Sequence, residues 1–396
     1  MNIQFFAPRF LDIGGGAVTR IAALLARLGV SAPLIVTDPV MVKLGLIRQL
    51  TDPLDAAGIG YTVFSQTVPE PIDTVIDAGV ALARSTVIDC IIGFGGGSPI
   101  DTAKAINILL AAAPGAKLRD FKVPVSADHA AWPLIAVPTT AGTGSEATRF
   151  TVITDTETDE KMLIGGLGAL PVAALVDYEL TLSVPARTTA DTGIDAFTHA
   201  LEAFVSRRAA PISDGYARTA LGLIGPHLRR VYQTPDDRAA REAMMLGATL
   251  AGLAFSNASV ALVHGMSRPI GAHFHVPHGM SNAMLLPAIT DYSLNAALPR
   301  YAEAARLAGF APVDAADQSA GAALVAELAA INRDLAVPTP SGFGIDPAQW
   351  SARRAVMASD QVESPDRIKL LAKTMSWSIV REPMRTDNAL EQHPIR

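Results

Sequence analysis

The chain contains 396 residues, of which 49% are hydrophobic and 18% charged, and its formal net charge is −6. This length and composition allow two domains with sizeable cores. The acidic balance argues against a nucleic-acid-binding protein, which usually carries a basic surface. The single cysteine, Cys90, excludes a disulfide within the chain and is expected to be a buried thiol. No signal-peptide pattern opens the sequence, so we expect a cytoplasmic protein.

Short apolar runs alternate with helical patterns over residues 1–182. This alternation is typical of a parallel β-sheet with crossover helices. Helical spacing covers residues 17–28 and 72–83. The apolar runs that we predict as strands of this sheet are 34–37, 61–64, 90–93 and 134–137, with 151–154 and 174–176 as further candidates.

The pattern changes after Pro185, where long stretches rich in Ala, Leu and Met follow a 3.6-residue spacing. We therefore predict an all-helical domain over residues 183–396. Its predicted helices are 189–206, 213–232, 237–263, 297–308 and 313–335, with a shorter one around 368–380. Residues 243–263 carry no charge and are long enough to span a bilayer, but their polar side chains and glycines favour a fully buried helix.

Asp38 follows the predicted strand at 34–37, and a carboxylate in that place suits the ribose hydroxyls of NAD. Ligands of open α/β sheets bind at the carboxyl ends of strands. However, the usual dinucleotide-binding fold places its acidic residue about 20 residues after the glycine loop, not before it. An aspartate before a proline is also a common turn residue, so both readings of Asp38 stay open.

A glycine-rich segment, Gly93-Phe-Gly-Gly-Gly-Ser-Pro-Ile-Asp101, follows the predicted strand at 90–93. We predict Ser98 as the N-cap of the next helix, Pro99 as its first residue and Asp101 as a capping-box partner. Glycines let an anion approach the backbone, and a helix N-terminus supplies unpaired N–H groups. The segment predicts either a phosphate-binding loop or a tight turn without a ligand.

A second polar loop, residues 138–146, follows the predicted strand at 134–137. It contains four hydroxyl residues and two glycines. At a strand end this composition is typical of a ligand-binding loop, although an ordinary polar loop has the same composition.

Four residues from two distant segments predict a metal site. Asp195 and His199 are four residues apart in a predicted helix, so their side chains share one face. His264 and His278 follow in a second stretch. One carboxylate and three imidazoles suit a divalent transition metal. Taken alone, Asp195 and His199 are also consistent with a helix ion pair, and the spacing of the later histidines carries little information.

Together these segments resemble the iron-containing (group III) alcohol dehydrogenase family over residues 5–345. The resemblance implies an N-terminal Rossmann-like α/β domain with a parallel sheet and an all-α C-terminal domain, the architecture shared with dehydroquinate synthase. It implies a divalent metal, with iron expected and zinc or manganese as alternatives, on Asp195, His199, His264 and His278. It also implies NAD, contacted by Asp38, Gly95, Gly96, Gly97, Ser98, Thr139, Thr140, Thr143, Lys161 and Leu180. Members of the family are usually homodimers or larger assemblies.

The chain departs from the family pattern after His264. Many relatives carry a histidine four residues further on, where this chain has Arg268. Arg268 is expected either to bind an anionic group at the far end of a substrate or to pair with an acidic neighbour such as Glu202. The additional His273 and His275 are expected either to pass a proton to solvent or to bond to backbone.

The predicted activity is hydride transfer between NAD(H) and a small primary alcohol or aldehyde, with the metal as Lewis acid. A maleylacetate-reductase-like enzyme is an alternative that the complete set of metal ligands disfavours. A dehydroquinate-synthase-like lyase is another, disfavoured by the scarcity of lysine in the helical half. A non-catalytic metal- or nucleotide-binding protein is the third. We expect no nucleic-acid or membrane partner.

Overall fold

The computed structural model describes residues 3–346. Residues 1–337 belong to one compact unit and 338–396 to a second. All of the helices and strands named below lie in the first unit. The helix predicted around residues 368–380 and the chain after Trp350 lie outside the described residues.

Six parallel strands form the central sheet, in the spatial order β1-β8-β5-β4-β2-β3. The innermost strands are continuous apolar runs because helices cover both faces of a parallel sheet. The eight strands are β1 (Phe10–Ile13), β2 (Pro33–Val36), β3 (Thr62–Phe64), β4 (Cys90–Gly95), β5 (Leu134–Pro138), β6 (Phe150–Asp155), β7 (Glu160–Gly165) and β8 (Ala173–Val176).

The expectation that residues 151–154 join the central sheet is wrong. They belong to β6, which pairs with β7 in a separate antiparallel hairpin. Buried and half-buried residues alternate along β6, which is the pattern of a strand with one covered face. β1 and β7 were not predicted from the sequence.

Twelve α-helices occur within residues 3–346, five before β5 and seven after β8. They are α1 (Ile21–Leu28), α2 (Pro39–Lys43), α3 (Arg48–Ala56), α4 (Asp73–Ser85), α5 (Gly97–Ala111), α6 (Ala186–Val205), α7 (Pro211–Gln233), α8 (Arg238–Ala258), α9 (Leu262–Phe274), α10 (His278–Ser293), α11 (Leu298–Leu307) and α12 (Asp317–Asp334). The predicted fold class, a parallel α/β sheet followed by a helical region, is confirmed.

Alternate residues of β2 supply cores on opposite faces of the sheet, as the two-residue period of a strand requires. Leu34 packs with side chains of α4 and α5, whereas Ile35 packs with side chains of α1 and α3. Met245 of α8 joins a third cluster with residues of β5 and β8, so the helical region packs directly on the sheet. Cys90 is fully buried, as expected, and burial raises the pKa of its thiol.

The single helix expected over residues 237–263 is wrong. α8 ends at Ala258, Ser259 has a φ of +68°, and α9 begins at Leu262. Within residues 3–346 no single helix is both long and apolar enough to cross a membrane. Arg238–Ala258 and Leu262–Gly271 pass that test only as a pair, and they are bent by 101°. The bend turns the chain so that His264 packs against His199 of α6.

Candidate metal and nucleotide site

Asp195 and His199 lie one turn apart in α6 and are 2% and 4% exposed. The closest approach is 3.9 Å, between His199 Nδ1 and Asp195 Oδ2, which is too long for a hydrogen bond. The His199 ring stacks on Phe255 of α8 at a centroid distance of 4.2 Å. The two side chains are therefore held by packing and do not form a close helix ion pair.

α9 and α10 bring two more imidazoles to the same point. His264 Nε2 lies 3.5 Å from Asp195 Oδ1, and His278 Nε2 lies 3.7 Å from the same oxygen. One ligand atom from each of the four residues falls within 4.8 Å of the others. The structure thus brings together the four residues that the resemblance implied as metal ligands.

Glu202 and Asn282 support this cluster, and sequence reasoning assigned neither of them to it. Glu202 Oε2 lies 2.6 Å from His264 Nδ1, and because an ionised carboxylate only accepts, the imidazole donates. The Asn282 amide donates to Asp195 Oδ1 at 2.7 Å. Spacing gave a signal for both, since Glu202 is three residues after His199 and Asn282 is four after His278.

The electrostatics of the cluster favour a bound cation. Burial alone would raise the pKa of Asp195, but its interactions with His199, His278 and His264 outweigh burial and hold that pKa below its usual range. Burial lowers the pKa of His199 to about 4. For His264 burial is opposed by Asp195 and Glu202, which together raise its pKa to about 9. Two buried carboxylates therefore draw positive charge to this point.

His278 is the most accessible of the four, with 42% of its side chain exposed, and it lines the adjacent cavity. Desolvation by the surrounding protein lowers its pKa to about 3, with the charges of His264 and His199 and against the charge of Asp195. The exposed edge makes His278 the ligand candidate closest to an incoming molecule.

The donor set fits a divalent transition metal. His199 Nδ1 is buried and has no hydrogen-bond partner within residues 3–346, which is costly unless another group satisfies it. Because His264 Nδ1–H donates to Glu202, Nε2 is the nitrogen available for a ligand bond once a metal displaces its proton, as in carboxylate–histidine–metal arrangements.

The glycine loop lies between β4 and α5. Gly95 has a φ of +144°, and a Cβ there would lie 2.6 Å from Pro99. A Cβ on Gly97 would lie 2.8 Å from the Thr143 methyl group. The glycine loop and the 138–146 loop are therefore in contact, and α5 begins with its N–H groups at their junction.

The prediction that Ser98 caps this helix is wrong. α5 begins at Gly97, Gly96 is the N-cap, and no side chain caps the helix. Asp101, expected in a capping box, instead accepts from Ser145 Oγ at 2.6 Å and from the Val152 N–H at 3.0 Å. These contacts leave the first N–H groups of α5 without a side-chain cap, which suits an anion.

Lys104 of α5 holds the 138–146 loop and the residues after it against that helix. Its ammonium group is fully buried and donates to Ser145 Oγ, both oxygens of Thr148 and the Phe150 carbonyl. Burial lowers the pKa of Lys104 to about 8, against the opposing charge of Asp101. This network ties α5 to β6.

Sheet order explains why the acidic residue precedes the glycine loop in the chain. β2 and β4 are neighbours, with Val36 opposite Gly93. The connection after β2 runs toward β3 at one edge of the sheet, whereas the connection after β4 runs toward β5 and the opposite edge. Such a switch point is where open α/β sheets bind ligands. Asp38 follows β2 and caps α2 by accepting from Val40 and Met41.

A cavity of about 280 Å³ connects the two groups of residues. Gly97, Ser98 and Thr143 line one part of it, and the four metal-ligand candidates, Asp195, His199, His264 and His278, line another. Lys161 also lines it and pairs with Glu70 at 2.7 Å.

Three further residues that the resemblance implied as NAD contacts are Leu180, Thr139 and Thr140. Leu180 is 5% exposed and packs in the core beneath the sheet. Thr139 is buried and directly follows β5. The Thr140 methyl group would lie 3.5 Å from a Cβ on Gly96, so Thr140 lies beside the glycine loop.

Arg268 lines the same cavity, one turn after His264 in α9. Within residues 3–346 no acceptor lies within hydrogen-bond or ion-pair distance of its guanidinium, and Glu202 instead bonds to His264. The alternative expectation of an Arg268–Glu202 pair is therefore wrong. His275 is exposed at the end of α9 with a φ of +53°.

Comparison with known proteins gives matches over both parts of the chain. A family model described as iron-containing alcohol dehydrogenase matches residues 8–178. A model for the C-terminal part of the Fe-containing alcohol dehydrogenase family matches residues 189–365. Long-chain-alcohol dehydrogenase 1 of Geobacillus thermodenitrificans is 40% identical over 342 residues, which cover 85% of this chain and 86% of that protein.

Solved structures agree with these matches. A crystal structure of 1,3-propanediol oxidoreductase has a TM-score of 0.89 and 31% identity, covering 96% of this chain and 100% of its own. Sulfoacetaldehyde reductase from Bifidobacterium kashiwanohense, solved in complex with NAD+, has a TM-score of 0.84 and 27% identity, covering 96% of this chain and 100% of its own.

Proposed function

The chain belongs to the iron-containing alcohol dehydrogenase family, and on that premise we propose that it transfers a hydride between NAD(H) and a small primary alcohol or aldehyde. The observation that carries the proposal is the convergence of four ligand atoms within 4.8 Å, in a cavity that also reaches the glycine loop. A relative with an NAD+ complex supports the cofactor, and the family description supports iron, with zinc or manganese as alternatives.

Asp195, His199, His264 and His278 would hold the metal. When bound, a divalent ion supplies Lewis acidity that lowers the pKa of an alcohol hydroxyl or polarises an aldehyde carbonyl. Glu202 fixes the tautomer and the orientation of His264. Phe255 stacks on His199 and excludes water from that side of the cluster.

The glycine loop and the N-terminus of α5 would hold the pyrophosphate of NAD, with Gly95, Gly96, Gly97 and Ser98 in contact. NAD supplies the hydride chemistry, while the protein supplies placement and electrostatics. Asp38 would bind the ribose at the carboxyl end of β2, and its negative charge would disfavour the additional phosphate of NADP. The other proposed contacts are Thr139, Thr140, Thr143, Lys161 and Leu180.

The domain boundary, the location, the oligomeric state and the partners are also part of the proposal. We place the domain boundary between residues 182 and 183, where the pattern of elements changes to helices alone. We propose a cytoplasmic homodimer or larger homo-oligomer, and we expect neither nucleic acid nor a membrane as partner.

The test is NADH oxidation with a panel of short aldehydes, using protein loaded separately with Fe²⁺, Zn²⁺ or Mn²⁺. The His199→Ala variant is expected to lose at least about 100-fold in kcat/KM. His227→Ala, a histidine of α7 whose ring contacts the Leu223 carbonyl, is the control and should keep full activity. Full activity of His199→Ala would refute the proposal. In a parallel assay with a sugar phosphate, phosphate release without net NADH change would identify a lyase instead.

A further inference from the structure

Within residues 3–346, the guanidinium of Arg268 has no acceptor in the cavity that it lines, whereas two other charged groups there are bonded. Lys161 pairs with Glu70, and Asp101 accepts from Ser145 and Val152. The half-buried Arg300 provides a comparison, because it bonds to Asp214 and to the Phe204 carbonyl. Arg268 has no such acceptor within residues 3–346, although it lines the cavity.

The Arg268 side chain is half-buried, so its guanidinium is partly desolvated. Burial lowers the pKa of Arg268, while the charge of Glu202 opposes the shift without contacting it. A desolvated charge is normally paired or hydrogen-bonded. A guanidinium offers two parallel N–H donors, a geometry that a carboxylate matches with two bonds. The group that best completes this part of the cavity is therefore a carboxylate carried by the molecule that enters it.

Arg268 lies close enough to the metal cluster for one small molecule to reach both. Arg268 follows His264 by four residues in one helix, so their Cβ atoms are about 6 Å apart on the same face. A molecule whose oxygen approaches His264 and His278 therefore passes Arg268 within a few carbon atoms. Charge on the far end of the molecule is then within reach of the guanidinium.

Resting on the proposed function, we propose that Arg268 determines specificity by binding the terminal carboxylate of a short ω-oxo acid or ω-hydroxy acid. The charged tail orients the substrate with its aldehyde or alcohol end at the metal cluster. The substrate class is then an aldehyde with an anionic far end, rather than a neutral aliphatic aldehyde.

The test compares 4-oxobutanoate with its neutral amide, 4-oxobutanamide, in the metal-loaded enzyme with saturating NADH. Wild type should prefer the anion by about 10-fold or more in kcat/KM. Arg268→Gln should lower kcat/KM for the anion by about 10- to 100-fold, the range of a charged hydrogen bond, mainly through KM. For the amide it should change by less than about 3-fold. Arg268→Lys should recover part of the loss, because it keeps the charge but not the paired donors.

Arg218→Gln is the matched control, since Arg218 pairs with Glu303 on the surface. An unchanged ratio between the two substrates in Arg268→Gln overturns the proposal while leaving the proposed function intact. An equal loss with both substrates, accompanied by a raised KM for NADH, also overturns it and assigns Arg268 to a cofactor phosphate.

A binding measurement tests the contact between Arg268 and the carboxylate without requiring turnover. Calorimetric titration of 4-hydroxybutanoate into the enzyme loaded with metal and NADH should give an affinity about 10-fold or more above that in Arg268→Gln. Equal affinities in the two proteins contradict the proposal even when no aldehyde is reduced. Absence of reduction of every aldehyde by wild type, with the affinity difference present, contradicts the proposed function alone.

Discussion

Replacing Glu202 by Gln is expected to weaken metal binding without removing any metal ligand. In α6 the two carboxylate oxygens accept from different donors: Oε2 from His264 Nδ1 at 2.6 Å and Oε1 from the Val263 N–H at 2.5 Å. A glutamine has the same shape but presents an amide NH₂ in place of one oxygen. One of the two buried donors then faces another donor, and the negative charge behind His264 is lost.

The magnitude follows from these contacts. A hydrogen bond to a charged group contributes about 1.5–3 kcal/mol, and losing a carboxylate partner of a metal-bound histidine typically lowers metal affinity about 10- to 100-fold. Both estimates describe the same effect, because a factor of ten is about 1.4 kcal/mol. We therefore expect the Kd for Zn²⁺ or Fe²⁺ to rise about 10- to 100-fold in Glu202→Gln.

The assay is competition for metal with a chromophoric chelator. Glu303→Gln is the control, because Glu303 pairs with Arg218 on the surface, and its Kd should equal that of wild type. Circular dichroism verifies that both variants are folded. A folded Glu202→Gln protein with a Kd within twofold of wild type would refute the role assigned to Glu202.

Three further changes test the framework of the site. Lys104→Met should destabilise the protein by about 3 kcal/mol in urea unfolding, because it leaves buried acceptors without a donor; a change below about 1 kcal/mol would contradict this. Gly97→Ala should raise the Kd for NADH at least about tenfold by calorimetry, since its Cβ would lie 2.8 Å from the Thr143 methyl group; unchanged affinity would remove the loop from the NAD site. Asp38→Ala should raise the NADPH/NADH ratio of kcat/KM about tenfold or more because a repulsive charge is lost, and an unchanged ratio would exclude Asp38 from the ribose site.

The sequence was most informative where one physical requirement dominates. Strands buried on both faces must be continuously apolar, so the runs around Ile35, Ile92 and Ile135 predicted β2, β4 and β5. Membership of 151–154 in the same sheet was predicted wrongly because an apolar run does not specify its pairing partner. The alternation of buried and half-buried residues becomes clear only when Phe150 and Asp155, the first and last residues of β6, are added to 151–154.

Tertiary packing overrode local signals elsewhere. The break at Ser259 has neither glycine nor proline at its centre, so the 237–263 stretch has the sequence of one long helix. The carbonyl of Ala258, left free at the end of α8, accepts from Ser206 Oγ at 2.5 Å, a partner 52 residues earlier in the chain. Asp101 likewise bonds to the distant Ser145 instead of closing a cap. Long-range partners of this kind leave no periodic trace in the sequence.

Some residues of the candidate site could be identified from the sequence, and others only from the structure. The spacing of Asp195 and His199 within one helix identified half of the cluster, and the resemblance supplied His264 and His278. Spacing was a signal for Glu202 and Asn282, but their partners could not be assigned from the sequence, because Glu202 contacts His264 of α9 and Asn282 contacts Asp195 of α6. Their contacts with Asp195 and His264 set the geometry of the cluster.

The most direct measurement of the central claim is the metal content of purified protein, by elemental analysis after reconstitution with Fe²⁺ or Zn²⁺. We predict one divalent ion per chain in wild type and in the control His227→Ala, and loss of that ion in Asp195→Ala and His278→Ala. Stoichiometric metal retained by both ligand variants, or full NADH-dependent aldehyde reduction by metal-free wild type, would contradict the account.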